Sequence, residues 1–332
     1  MREMWRSVSP RQRALYLKTL PFARDLGRRA IEMATIQMEE CEFSEGEHLL
    51  TEGQPIPGIY ILTAGRVSLH QQDSEVGQIS APGRVGLIGL LAAGRQGAAD
   101  GAPGDIVAES SVEALHLPAD LVDHMLTDNF EFLLGLTRWI AMQLRSPRQA
   151  CLFVSRCEDL QDLTPPFDLF SRTRWFAESS LFDEANLEAI LELVRRVETV
   201  RYAEGTTIWE AGEQSDEILG VVQGHIDIVE SGSDPAGPGE FVGVAEVFGG
   251  DFHLHTARAA EPVVGLTLEM GVLLEVMEDH SNMSLGLMRT LAAAGVERRW
   301  ADSYNAQNSS RSPEVDPRPK ATLEFGAYDP VE

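Results

Sequence analysis

The chain is sparing with cysteine, basic residues, aromatics and long apolar runs. Its three cysteines, Cys41, Cys151 and Cys157, are odd in number and have no paired CxxC spacing. That argues against a disulfide framework and for free thiols in a reducing cytoplasm. Lys and Arg total 27 against 52 Asp and Glu, a formal net charge of -25. A surface this acidic repels phosphate backbones, so no DNA partner is expected. No apolar run approaches the ~18 residues that would span a bilayer. The charged start, MREMWRSVSPRQR, lacks the apolar stretch of a secretory signal, so no membrane insertion is expected. There is no P-loop, GxSxG or HExxH motif and no cyclase or phosphodiesterase metal cluster. The expectation is a protein that is not an enzyme and carries no cofactor.

What the chain has is a repeat. Residues 43–69 read FSEGEHLLTEGQPIPGIYILTAGRVSL, and residues 202–228 read YAEGTTIWEAGEQSDEILGVVQGHIDI. An offset of 159 places Phe43 on Tyr202, Gly46 on Gly205, Gly53 on Gly212 and Gly65 on Gly224. The glycines fall between apolar pairs such as Ile59 and Ile61, or Ile226 and Ile228. This is the pattern of short strands joined by tight turns, where glycine takes positive φ without strain. A fixed internal period means two copies of one β-rich domain. A length of 332 residues, 43% of them hydrophobic, suits two domains with a core each.

The chain divides accordingly. Residues 1–146 make the first domain, opening with two helical stretches over 8–40, the second with Leu26, Ala30, Ile31, Ala34 and Met38 on one face. Its β unit covers 43–117, and 118–146 is a helical stretch started by Pro118. Residues 147–180, with Pro165 and Pro166, are a linker. The second domain, 181–300, has a helix with Leu187, Ile190, Leu191, Val194 and Val197 on one face, a β unit over 201–268 and a closing helix over 271–300. Residues 301–332 are polar, acidic and without periodicity, which predicts disorder. The fold class is mainly β with flanking helices, as two tandem β-roll, jelly-roll-like domains.

Within that frame, GPGEFVGVAEVFGGDFHLHTARAAEP (237–262) resembles the phosphate-binding cassette of cyclic nucleotide-binding domains. The first copy's version is APGRVGLIGLLAAGRQGAADGAPGDIVAESSVEALHLP (81–118). These are the sensor modules of catabolite-activator-type regulators, kinase regulatory subunits and gated channels. In the family the cassette reads roughly Gly-Glu-x-Ala-Leu-Leu, a spacer, then Arg-x-Ala-Thr. The resemblance implies backbone N–H groups at a short helix cradling a cyclic phosphate, an arginine neutralising it and a glutamate binding the ribose 2′-hydroxyl. It covers nearly all of 20–146 and 180–300.

The chain departs from the pattern at those positions. In the second cassette Gly243 takes the glycine position and Val244 the glutamate position. His253 takes the arginine position, and Thr256 and Ala257 continue the pattern. In the first, Gly86 takes the glycine position and Leu87 that of glutamate, and Asp105-Ile106-Val107 stand where an arginine would precede the strand. The offset falls from 157 at Gly86/Gly243 to 151 at Ala108/Ala259, so six extra residues lie in the first cassette. Arg95 is either a displaced phosphate ligand or a solvated loop residue. Both pockets read as vestigial, and neither is expected to bind cyclic AMP in the usual way.

Other candidates have two readings each. His253 and His255, with Glu261, could form a cupin-type metal triad if they alternate on a strand, or be an ordinary loop or strand histidine pair. Glu246 could restore the ribose contact by a register slip, or be a surface residue of the short helix. Trp139 and Trp300 either cap a base or pack between helices. Three functions follow: an adaptor built on two degenerate nucleotide-binding folds, a sensor of another nucleotide or small anion, or a cupin-like metal-dependent enzyme. The expected partners are proteins, met through the folded surface or the tail 301–332, where Leu323, Phe325 and Tyr328 are apolar anchors. The resemblance to catabolite-activator-type proteins, which pair through the closing helix, also admits a homo-oligomer.

Overall fold

The glycines of the repeat are where the backbone turns. In the computed structural model Gly46, Gly53 and Gly65 have φ of 84°, 72° and 89°, and their counterparts Gly205, Gly212 and Gly224 have 77°, 90° and 81°. A side chain at Gly65 would place its Cβ 2.4 Å from the Ser111 carbonyl oxygen, and one at Gly224 the same distance from that of Pro262. Both copies thus turn at matching points, and the strands between them pair alike. The structure describes residues 8–18, 27–71, 74–93, 101–145, 151–157, 167–229, 234–250 and 252–309. It divides into two units, one of residues 1–128 with those from 295 on, the other of residues 129–294.

The first unit begins with α1 (Pro10–Lys18) and α2 (Arg28–Gln37). Its strands are β1 (Glu39–Phe43), β2 (His48–Leu50), β3 (Gly58–Ala64), β4 (Arg66–Gln71), β5 (Ser74–Ser80) and β6 (Gly83–Val85). The short helix α3 (Leu87–Ala93), β7 (Asp105–Ala108), β8 (Val112–Pro118) and α4 (Ala119–Asp128) complete it. Two antiparallel sheets, ordered β1-β8-β3-β6 and β2-β7-β4-β5, enclose a core that includes Leu50, Tyr60, Leu62, Val67, Val85 and Val112. On α2, Ile31 and Ala34 are buried and Ala30 is half-buried, Met38 is buried just past the helix end, and Leu26 lies outside the described residues. Pro118 ends β8 instead of opening a helix, because the strand register runs through to its pairing with Gly58.

The second unit starts with α5 (Phe130–Leu144). The stretch read as one helix over 118–146 is broken at Asn129, whose side chain accepts from the Phe132 N–H at 3.0 Å and caps α5. Then follow β9 (Cys151–Val154), α6 (Leu169–Ala177), α7 (Leu187–Val194), β10 (Glu198–Tyr202), β11 (Thr207–Trp209), β12 (Glu217–Gln223) and β13 (Ile226–Ile228). The unit continues with β14 (Glu240–Val242), α8 (Val244–Gly249), β15 (Ala257–Ala259), β16 (Val263–Glu269), α9 (Met270–Asp279) and the first part of α10 (Ser281–Ser309), whose residues from 295 on are counted with the first unit. Its sheets are ordered β10-β16-β12-β14-β9 and β11-β15-β13, around a core with Trp209, Leu219, Val221 and Val242. On α7 the buried face is Ala189, Ile190, Leu193 and Val194, while Leu187 is exposed.

Two expectations change here. The stretch 147–180 is not a bare linker: β9 adds an edge strand to the sheet, pairing Val154 with Glu240 and Phe153 with Phe241. On α6, capped by Asp168, Trp175 and Phe176 are buried against Phe241 at ring-centroid distances of 4.8 and 6.0 Å. Gly220 is what admits Trp175, since a Cβ there would lie 2.3 Å from its Cη2 atom. Pro165 and Pro166 lie outside the described residues. In addition, α10 runs through 301–309, the start of the stretch expected to be disordered. Residues 296–312 contain no proline or glycine to stop a helix. Residues 310–332, with Leu323, Phe325 and Tyr328, lie outside the described residues.

Candidate functional site

The first cassette turns at Gly86, with φ of 91° and room for a Cβ only 2.6 Å from the Gly58 carbonyl oxygen. No larger residue fits this turn without moving backbone. The turn delivers Leu87 to the start of α3, where its side chain is buried. Downstream, Asp105 accepts from the Glu52 N–H at 2.7 Å and lies 3.8 Å from His48 Nδ1. A carboxylate thus stands where the resemblance calls for an arginine. Arg95 lies outside the described residues.

The second cassette is described throughout, except for Asp251. Gly243, with φ of 90°, caps α8 in the left-handed region and accepts from the Val247 N–H at 2.9 Å. Helix α8 is apolar apart from Glu246, and its residues Val244 to Phe248 are all buried. It has to be: α5 packs against it so closely that a Cβ on Gly249 would lie 2.4 Å from the Met142 backbone nitrogen. From the end of α5, Arg145 donates to the Gly249 carbonyl at 3.4 Å and the Phe252 carbonyl at 2.9 Å. The glutamate position, Val244, is 1% exposed and contributes only to the core.

His253, at the arginine position, is 3% exposed and lies flat on Trp209, with ring centroids 4.2 Å apart and planes 8° apart. Its backbone N–H donates to the Glu213 carbonyl at 2.9 Å, and its carbonyl accepts from the Gly212 N–H at 2.9 Å. Both ends are tied into the turn that Gly212 makes. Burial holds the imidazole below its ordinary pKa, against the opposing field of Glu246, with His255 adding a further depressing contribution. His253 is therefore less readily charged than a free histidine and a poor stand-in for a guanidinium. Thr256 accepts from the Ala211 N–H at 3.2 Å, joining the cassette's exit to the same turn.

Glu246 is not a surface residue. Its carboxylate is buried and lies 3.1 Å from Nδ1 of His255, which is fully enclosed. This is an ion-pair approach outside hydrogen-bond geometry: both ring nitrogens of His255, Nδ1 of His253 and Nε1 of Trp209 have no hydrogen-bond partner. A nearly apolar helix buried on all sides can carry a carboxylate only if a partner meets it inside. The lone glutamate of α8 was the sequence signal for this pair.

The metal triad is not assembled. His253 and His255 lie in a loop before β15 instead of alternating along a strand, and Glu261 pairs with His225 at 2.5 Å. Among the described residues no group of three or more His, Cys, Asp or Glu is placed to hold a metal ion. Trp139 is buried on α5 as a packing residue; Trp300 lies on α10 with its side chain outside the described residues. Cys41 is half-buried, with burial raising its thiol pKa, and Cys157 is buried. Among the described residues no helix is long and apolar enough to cross a membrane.

Comparison with known proteins agrees with the repeat. The family model of the cyclic nucleotide-binding domain matches residues 40–129 and 199–280, just over half of the chain. No curated protein sequence matches it. Among solved structures it is similar to the regulatory domain of Toxoplasma gondii PKA, at 13% identity and a TM-score of 0.34, over 91% of this chain and 97% of that one. It is also similar to the regulatory subunit of a cAMP-independent protein kinase A from Trypanosoma brucei, at 15% identity and a TM-score of 0.31, over 90% and 93%. With both copies matched in tandem and folded as β-rolls, the chain belongs to the cyclic nucleotide-binding domain family.

Proposed function

We propose that the protein is a non-catalytic regulator in which both cyclic nucleotide-binding folds are degenerate and which works by binding protein partners. The observation that carries this is the interior of the second cassette. Where a ribose carboxylate and a phosphate-neutralising cation would stand, there are a buried valine, Val244, and a histidine, His253, stacked on Trp209. Gly243 keeps the turn and Thr256 the exit, so the frame persists without the charged groups. In the first cassette Gly86 keeps the turn and Leu87 replaces the carboxylate.

Loss of a charged group from a buried site costs about 2–5 kcal/mol, roughly 30- to 4000-fold in affinity. Calorimetric titration of the full chain with cyclic AMP and cyclic GMP is expected to show neither binding at physiological concentration. Low-micromolar affinity for either at neutral pH would sink the reading and favour a sensor. A sensor of another nucleotide or small anion is the second reading, and it rests on the first cassette, which is six residues longer than the second. Mass spectrometry of small molecules released on denaturation separates the two, since a sensor gives up a bound ligand and an adaptor none.

Partner capture should compare full-length protein with a 1–309 truncation, which keeps α10 whole. Equal recovery of one partner assigns docking to the folded surface; loss on truncation assigns it to the tail.

A further inference from the structure

We propose that the Glu246–His255 pair is an internal latch, a carboxylate and an imidazole that hold the short helix of the second cassette in place without a ligand. The proposal rests on the reading that this unit does without a nucleotide, and it supplies the reason the unit keeps its shape. Short helices are marginal on their own, and α8 has only six residues. It is held from one side by α5, through the Gly249–Met142 approach and the two Arg145 bonds to the Gly249 and Phe252 carbonyls. Within the cassette Glu246 meets His255 at 3.1 Å, the histidine side chain 0% exposed against 3% for the glutamate.

The pair also spans the cassette. Glu246 sits in the first turn of α8, and His255 sits at the far end of the loop that returns to β15. Joining them closes the helix and the loop into one ring of backbone, inside which His253 is pinned on Trp209. Removing one partner of a buried pair is far more disruptive than removing both, because the survivor is left without compensation. His255→Ala strands a buried carboxylate, which is worse than the imidazole left by Glu246→Ala.

Hydrogen exchange on the full-length chain at pH 7.5, without nucleotide, tests this. His255→Ala is expected to speed exchange of the amides in 243–259 by at least about 100-fold, with strands β10 and β16 far less affected. Glu246→Ala should have a smaller effect. The double variant should be better protected than His255→Ala alone. Additive effects in the double variant, or unchanged exchange in 243–259, would overturn the latch. Should His255→Ala not fold, Glu246→Gln keeps the volume and removes the charge; roughly tenfold faster local exchange is expected, and wild-type protection there refutes the proposal. A nucleotide found to bind this unit would remove the ligand-free reading but leave the exchange result standing. Absent coupling would remove the latch and leave that reading untouched.

Discussion

Acidification should loosen the second unit through His253, and the size of the effect follows from its burial. The ring is 3% exposed and stacked on Trp209, and burial holds its pKa below the unfolded value of about 6.5. A base whose folded pKa is lowered costs nothing while it is neutral in both states. As pH falls below about 6.5 the unfolded chain takes up the proton first, so stability drops until pH reaches the folded pKa. The slope is at most about 1.4 kcal/mol per pH unit for one such group. Between pH 7.5 and 5.5 the loss from His253 therefore cannot exceed roughly 1.5 kcal/mol, a few degrees in melting temperature for a unit of this size. Glu246, Glu213 and Asp216 face the ring with the opposite sign and His255 with the same sign, which is why the comparison must be differential. Urea unfolding of wild type and His253→Gln at both pH values gives that difference. The substitution should flatten the pH dependence by up to this amount. If both proteins lose stability in parallel, His253 is not the group responsible and the account of its burial fails.

Three further outcomes can be checked. Trp175→Ala should cost about 3–5 kcal/mol in urea unfolding, because it empties a core site beside Phe176 and Phe241. Gly220→Ala should be destabilising by more than about 1 kcal/mol, since its Cβ would overlap the Trp175 ring, and Trp175→Phe in the same chain should relieve part of that loss. Gly86→Ala should destabilise more than Gly46→Ala: both have positive φ, worth about 1–2 kcal/mol, but only at Gly86 does the added carbon meet a backbone carbonyl.

The two β-rolls were legible because turns constrain residue type more tightly than strands do. A backbone that must pass through positive φ selects glycine, and four matched glycine pairs recur with φ between 72° and 91°. The 147–180 stretch was misread for a converse reason. Its prolines signal interruption, but Phe153, Trp175 and Phe176 owe their burial to Gly220 and Phe241, residues of a sheet far along the chain. No local period records such a contact. The helical stretch expected over 118–146 likewise concealed a break, because Asn129 caps a new helix there.

The site was half legible. The resemblance to the cassette located Gly243, Val244 and His253, yet it offered Glu246 only a ribose contact by a register slip or a place on the surface, and the structure gives it neither. Charge and burial constrain one another more strictly than that. A helix bearing Val244, Ala245, Val247 and Phe248 has no polar face, so any carboxylate on it must be enclosed and must find a counterpart. The histidines within reach in sequence are His253 and His255, and the one that stacks on Trp209 is committed elsewhere. Burial alone therefore points Glu246 toward His255, 3.1 Å away in the structure. The buried pair is thus written in the composition of a six-residue helix, although no motif for it exists in the family pattern.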